Sequence, residues 1–250
     1  DVGRAYVFVR SSSVWTHQAN LTAGSDAREW GNFGYSVSVS GDTAVVGLSS
    51  WMSTHQQRAY VFVRSSSGVW TQQAKLTAGS DTGTEDSFGH SVSVSGETIV
   101  VGAYRHDANG QHDSGSAYVF VRSSSGAWSQ QAKLTAGSDV SYQGHFGQSV
   151  SISGDIIVVG EPQDDHGSNS NNMYYNNNEN QGSAHVFRRS GTKWNRVGKI
   201  NAETYAAVND YFGGTVAVSG ERIVVGVGRK ALNSSLEYAG AAYAFALESG

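Results

Sequence analysis

Apolar and polar positions alternate in short bursts along the whole chain, and the bursts recur in one order. A Phe-Gly pair opens a Ser/Val alternation, as in Phe33 to Ser40 and Phe88 to Ser95. A Ser-Gly-acid triplet then leads into an unbroken apolar run ending in Val-Val-Gly, whose first valine is Val45, Val100, Val158 or Val224. A third burst reads Ala-Tyr-Val-Phe or a near copy, and a fourth follows Trp15, Trp70, Trp128 or Trp194. Period-two alternation with β-branched and aromatic residues predicts strands for the first, third and fourth bursts. The unbroken second burst predicts a strand covered on both faces. We call these strands A, B, C and D, in that order.

The third burst makes the repetition plain. Arg-Ala-Tyr-Val-Phe-Val-Arg at Arg4 returns at Arg58, recurs with changes from Ser116 and Ser183, and fades to Ala-Ala-Tyr-Ala-Phe-Ala-Leu from Ala241, at spacings of 54, 58, 67 and 58 residues. Self-similarity at such a period marks a repeat architecture, and four short strands per unit is what a propeller blade needs. The predicted fold is all-β: one β-propeller domain or propeller segment of four-stranded blades, with repeats near 4–57, 58–115, 116–182 and 183–240, a partial one at 241–250, and a surplus C strand. A chain that opens on C-D and closes on A-B-C is expected of a segment of a longer propeller or of an assembly subunit.

Composition narrows the partners. Charged residues are only 15% of the 250, and a net charge of −4 with pI near 6.0 leaves no basic footprint for nucleic acid. The apolar runs are too short to enter a bilayer, so no membrane insertion is expected. The absence of cysteine removes disulfides, thiolate nucleophiles and Cys-ligated zinc. The chain opens on Asp1 rather than Met, which a cleaved secretory signal would fit.

Phe-Gly-x-Ser-Val followed by Val-Val-Gly-Ala, at Phe88 to Val92 and Val100 to Ala103, resembles the FG-GAP repeat of integrin α-chain propellers and of many secreted or cell-surface proteins. The resemblance spans essentially the whole chain. It implies a β-propeller, usually seven-bladed, that binds proteins or sugars outside the cell, often with calcium in some blades. The family's calcium loop lies between A and B, where this chain has only the tight turns at Ser40-Gly41-Asp42, Ser95-Gly96-Glu97, Ser153-Gly154-Asp155 and Ser219-Gly220-Glu221. Such turns offer too few oxygens for an ion that takes roughly six to eight.

Up-and-down strand order puts the A-B and C-D turns on one rim and the B-C and D-A loops on the other. The first rim is monotonous. The second carries every long and divergent loop, at 48–57, 103–115, 161–182 and 227–240, and function is expected there. In the loop from Arg105 to Asp113, Asp107, Asn109 and Asp113 surround a glycine and offer oxygens to calcium, against which the Arg105 cation acts. Glu161, Asp164, Asp165 and His166 form a second, less ordered cluster. The eight histidines show no zinc-binding spacing, and no nucleophile motif is present, so the chain is read as a non-enzyme with no cofactor beyond calcium in that loop.

Eight unrepeated aromatic residues fall on the divergent rim: Trp30, Trp51, Tyr104, Tyr142, Tyr174, Tyr175, Tyr205 and Tyr238. Exposed rings there would stack on sugars or anchor a protein. Asn20 and Asn233 head N-glycosylation patterns. The expected function is an extracellular, secreted or cell-surface recognition or adhesion module that binds glycan or protein through this rim. The alternative is a self-assembling structural subunit of an extracellular assembly, with an unpaired strand of one molecule completing a sheet of another.

Overall fold

A computed structural model describes residues 2–29, 31–49, 57–81, 83, 85–165, 180–202, 209–229 and 239–247. Among these, seventeen strands form five antiparallel sheets. The first sheet is a C-D pair, β1 (Ala5–Ser11) and β2 (Val14–Leu21). Three complete A-B-C-D sheets follow. They are β3 (Phe33–Ser40), β4 (Thr43–Leu48), β5 (Arg58–Arg64) and β6 (Trp70–Leu76); β7 (Ser91–Ser95), β8 (Thr98–Ala103), β9 (Ser116–Arg122) and β10 (Trp128–Leu134); and β11 (Ser149–Ser153), β12 (Ile156–Glu161), β13 (Ser183–Ser190) and β14 (Lys193–Ile200). The last sheet is A-B-C, with β15 (Phe212–Ser219), β16 (Arg222–Val227) and β17 (Ala241–Ala246). Each sheet is a blade, or part of one, of a β-propeller. Blades begin at strand A, whereas the sequence phrase begins at strand C, so each written repeat straddles two neighbouring sheets.

The two recurring glycines explain why blades stack so closely. The Gly of Val-Val-Gly lies beneath the carbonyl of the Phe-Gly glycine in the next blade, and a Cβ on Gly47, Gly102 or Gly160 would overlap the oxygen of Gly89, Gly147 or Gly213. The Phe-Gly glycines themselves adopt φ near +90°, where a side chain is strained, and press against the first residues of the preceding C strand. Serines of strand A complete the seam. Ser36, Ser91 and Ser149 donate to those same carbonyls at 2.8 Å, while Ser38 and Ser93 accept from the amides of Val94 and Ile152 at 3.1 Å.

At the outer edge, a β-bulge serves the same end. Each C-D pairing slips by one residue, which leaves Gln18, Gln73 and Gln131 unpaired in strand D. Their side chains accept the indole N–H of Trp70, Trp128 and Trp194 of the next blade at 2.8–3.0 Å. The tryptophans that open strand D are thus clasps between blades.

The core lies between sheets. One cluster joins Val45 and Val61 of the first complete blade to Val92, Val94 and Ile99 of the next, and a second repeats this one blade further on. Strand B is buried throughout in the three complete blades, as its unbroken apolar run predicts. Strand C departs from the half-buried alternation expected of it. In β5, β9 and β13 both faces are covered, because the Tyr/Phe face meets the preceding blade and the small Ala/Val face meets the following one. Where a neighbour is lacking the alternation returns: Tyr6 and Phe8 of β1 are exposed, as are Val37 and Val39 of β3.

Candidate functional site

Four rings from four segments meet on the divergent rim. Tyr35 in β3 and His90 just before β7 occupy the variable position after Phe-Gly, Tyr104 follows β8, and His145 precedes Phe146. Their centroids run Tyr35 to His90 at 4.7 Å, His90 to Tyr104 at 4.5 Å, and Tyr104 to His145 at 5.0 Å, all tilted or edge-on as aromatic quadrupoles prefer. The Arg105 guanidinium lies 5.4 Å from the Tyr104 centroid. Burial, and then the Arg105 charge, lower His90 to about 4, and the same causes lower His145 to about 4. Both imidazoles are neutral at pH 7, and His145 Nδ1 makes no hydrogen bond. The result is an uncharged aromatic row with polar ring atoms, open at the Tyr35 end, which is half exposed.

Beside this row the loop after Tyr104 is braced internally. Asp107 Oδ1 accepts the Asp113 amide at 2.8 Å, and His112 stacks on Tyr142 at 5.7 Å. Asp107, His112 and Asp113 bring ligand atoms within 4.8 Å of one another. Asn109 sits at the turn with φ 55°. Burial raises the Asp113 carboxyl. Further round the rim, between the third and last blades, a cleft of about 820 Å³ is lined by Gln148, Pro162, Gln163, Tyr211 and Arg229, with the Arg229 guanidinium 4.7 Å from the Tyr211 centroid.

Of the aromatic residues singled out from sequence, Tyr104 is almost fully buried between His90 and His145, and Tyr142 is half-buried beneath His112. Trp30, Trp51, Tyr174, Tyr175, Tyr205 and Tyr238 lie outside the described residues, as do His166 and Asn233. Asn20 is exposed on β2, with Oδ1 2.7 Å from His17 Nε2. Sequence reasoning missed Tyr35, His90 and His145. The signal for the first two was present: within a phrase otherwise copied from repeat to repeat, they vary at one fixed place.

Below the rim, polar groups tether each blade to the one before. Asp26 accepts the Tyr60 hydroxyl at 2.9 Å and pairs with Arg58 and Lys75 at 2.7 Å. The Lys75 hydrogen bond, against the opposing effect of burial, holds the Asp26 carboxyl below its ordinary value. One blade on, Asp81 accepts the Tyr118 hydroxyl at 2.9 Å and pairs with Lys133 at 2.9 Å, while His106 Nε2 lies 2.8 Å from the Asp81 carbonyl. The third blade has His185 in place of tyrosine. Its Nε2 lies 2.6 Å from Glu161 Oε2, both side chains being fully buried. Burial raises the Glu161 carboxyl well above its ordinary range and lowers the His185 imidazole, favouring the uncharged form of each.

The order of these elements decides the family. The FG-GAP repeat model matches residues 15–62, 70–120, 128–187 and 194–245. The chain belongs to the FG-GAP repeat family. Each matched FG-GAP unit runs from strand D through A and B to C, so the match itself spans the seam between two blades. FG-GAP repeats are found in extracellular adhesion and recognition proteins, and their propellers are in general non-enzymatic. No curated protein matches the chain. No helix among the described residues is long and apolar enough to cross a membrane.

Proposed function

We propose that this FG-GAP chain is an extracellular recognition module that binds a glycan or a protein through the rim of its B-C and D-A loops. The row Tyr35, His90, Tyr104 and His145 carries the reading. The half-exposed Tyr35 ring and the edges of His90 and His145, braced from beneath by the buried Tyr104, give a surface on which an apolar sugar face or an aromatic side chain stacks, and Arg105 and the neighbouring carboxylates supply orienting hydrogen bonds. The opposite rim carries only near-copies of two turns, a surface poorly suited to discrimination. The reading needs no metal. Asp107 already spends one oxygen on the Asp113 amide, and Arg105 stands at the mouth of the loop.

The test is a glycan array together with capture of cell-surface proteins, using the wild-type chain, Tyr35→Ala and Arg229→Ala, with Ser124→Glu on the opposite rim as control. Binding that falls at least about tenfold in a rim variant and persists in the control supports the assignment; a tenfold change is about 1.4 kcal/mol. Binding that survives both rim variants, or is lost in the control, refutes it.

A further inference from the structure

The third blade alters the tether of the first two: Asp139 pairs with Arg196 at 2.8 Å, and other residues change around it. Where Ala103 closes strand B of the second complete blade, the third has Glu161; where that blade has His106 in the following turn, the third has Asp164; and where Tyr118 stands in strand C, the third has His185. All three replacements converge on one place. We propose that Glu161, Asp164 and His185 form a buried site for one divalent first-row transition ion, of the zinc class.

The donors are one imidazole nitrogen and two carboxylates, a set that suits zinc and its neighbours in the first transition row. Their ligand atoms lie within 4.8 Å of one another, and all three residues are buried. Glu161 Oε1, on a side chain with no exposure, has no hydrogen-bond partner of good geometry, although the Ser141 backbone N–H acts on this carboxyl, and an acceptor so placed is costly to bury. Room for this oxygen exists because residue 144 is glycine: a Cβ there would overlap it.

The Lys199 ammonium now sits 2.7 Å from Asp164 Oδ2 and supplies a positive charge beside the place an ion would take. It has somewhere else to go. Its counterparts Lys75 and Lys133 pair with Asp26 and Asp81, the last residues of the Gly-Ser-Asp turns, and the corresponding turn before the third blade ends at Asp139. Lys199 is partly exposed and already acts on the Asp139 carboxyl through its charge. Swinging to Asp139, which Arg196 already holds at 2.8 Å much as Arg58 holds Asp26, would release Asp164 Oδ2 for the ion while Oδ1 goes on accepting from Ser141 Oγ.

The full 250-residue chain is stripped with chelator, then titrated with Zn²⁺ by calorimetry and with Co²⁺ by visible absorption. The expected result is one equivalent of Zn²⁺ bound, a raised melting temperature, and d–d bands of a four- or five-coordinate cobalt site. His185→Tyr and Glu161→Ala each install the residue of a sister blade, and each is expected to weaken binding by more than the roughly 10–100-fold that losing an outer partner costs. Asp113→Ala, in the exposed loop cluster, retains the full response. The proposal is overturned if neither ion binds, or if binding persists in His185→Tyr or in Glu161→Ala; should one of these variants fail to fold, the other decides.

Discussion

Replacing Gly102 by alanine puts a methyl group on the carbonyl oxygen of Gly147 and on Ser91 Oγ, at the seam between two blades. Neither obstacle can yield cheaply, since one is backbone and the other is held by its own bond to the same oxygen at 2.8 Å. Losing that bond costs about 1 kcal/mol, and parting the blades to admit the methyl costs about 1–3 kcal/mol as overpacking. Removing a strand glycine returns about 0.5–1 kcal/mol of backbone entropy. The net expectation is a loss of about 1–3.5 kcal/mol.

Gly226 is the internal control. It holds the same position in strand B of the last sheet, but the nearest atom to an added Cβ is Thr215 Oγ1, the end of a side chain that can rotate. Gly226→Ala is therefore expected to change stability by less than about 1 kcal/mol. Urea unfolding followed by tryptophan fluorescence reads both variants, because the indoles of Trp70, Trp128 and Trp194 bridge neighbouring blades. Equal losses in the two variants would refute the reasoning, since the only intended difference is the backbone carbonyl of a following blade.

Other expectations follow from the same contacts. Tyr118→Phe removes a buried hydroxyl from a charged acceptor and is expected to cost about 1.5–3 kcal/mol in chemical denaturation, whereas Tyr6→Phe, at the exposed equivalent position, leaves the midpoint unchanged. His90 and His145 have folded pKa values near 4, below the unfolded 6.5, so the unfolded chain binds more protons between these limits. Stability from these two groups is full above pH 6.5, is lost as pH falls toward 4, and at pH 5 is reduced by about 1–2 kcal/mol for each after allowing for solvent screening. Glu161 acts in the opposite sense, since its raised pKa favours the folded state as pH falls. The decisive comparison is therefore wild type against a His90→Gln, His145→Gln double variant, whose stability should fall less between pH 7 and pH 5. Calcium is expected to leave the melting temperature unchanged in the wild type and in Asp107→Ala alike; a rise confined to the wild type would assign an ion to the loop of Asp107, Asn109 and Asp113.

The strands were legible because each is short, bounded by Gly-containing turns, and written four or five times. What a single repeat does not encode is its neighbour. Tyr60 and Val61 look like the two faces of an ordinary half-buried strand, yet both are fully buried, because one side chain meets the blade before and the other the blade after. Candidate sites were harder to read for the same reason. Glu161 and His185 stand 24 residues apart and come together only when strands B and C pair, so no ligand spacing marks them. The row from Tyr35 to His145 draws on three consecutive blades, and Tyr104, expected as an open ring, is the one most enclosed.

The serine seam has a direction. Ser40 accepts from Gly96, Ser95 from Gly154 and Ser153 from Gly220, and at each step the hydroxyl lies on the earlier blade and the amide on the later one. An array in which these blades all present the same front and the same, different, back can be cut between any two of them and rejoined to a third without a mismatch in this seam. Unequal recombination within such a gene would lengthen or shorten the array by whole blades, each arriving with its seam already matched. Curvature and loop collisions, rather than seam chemistry, would then limit how many blades the array can hold.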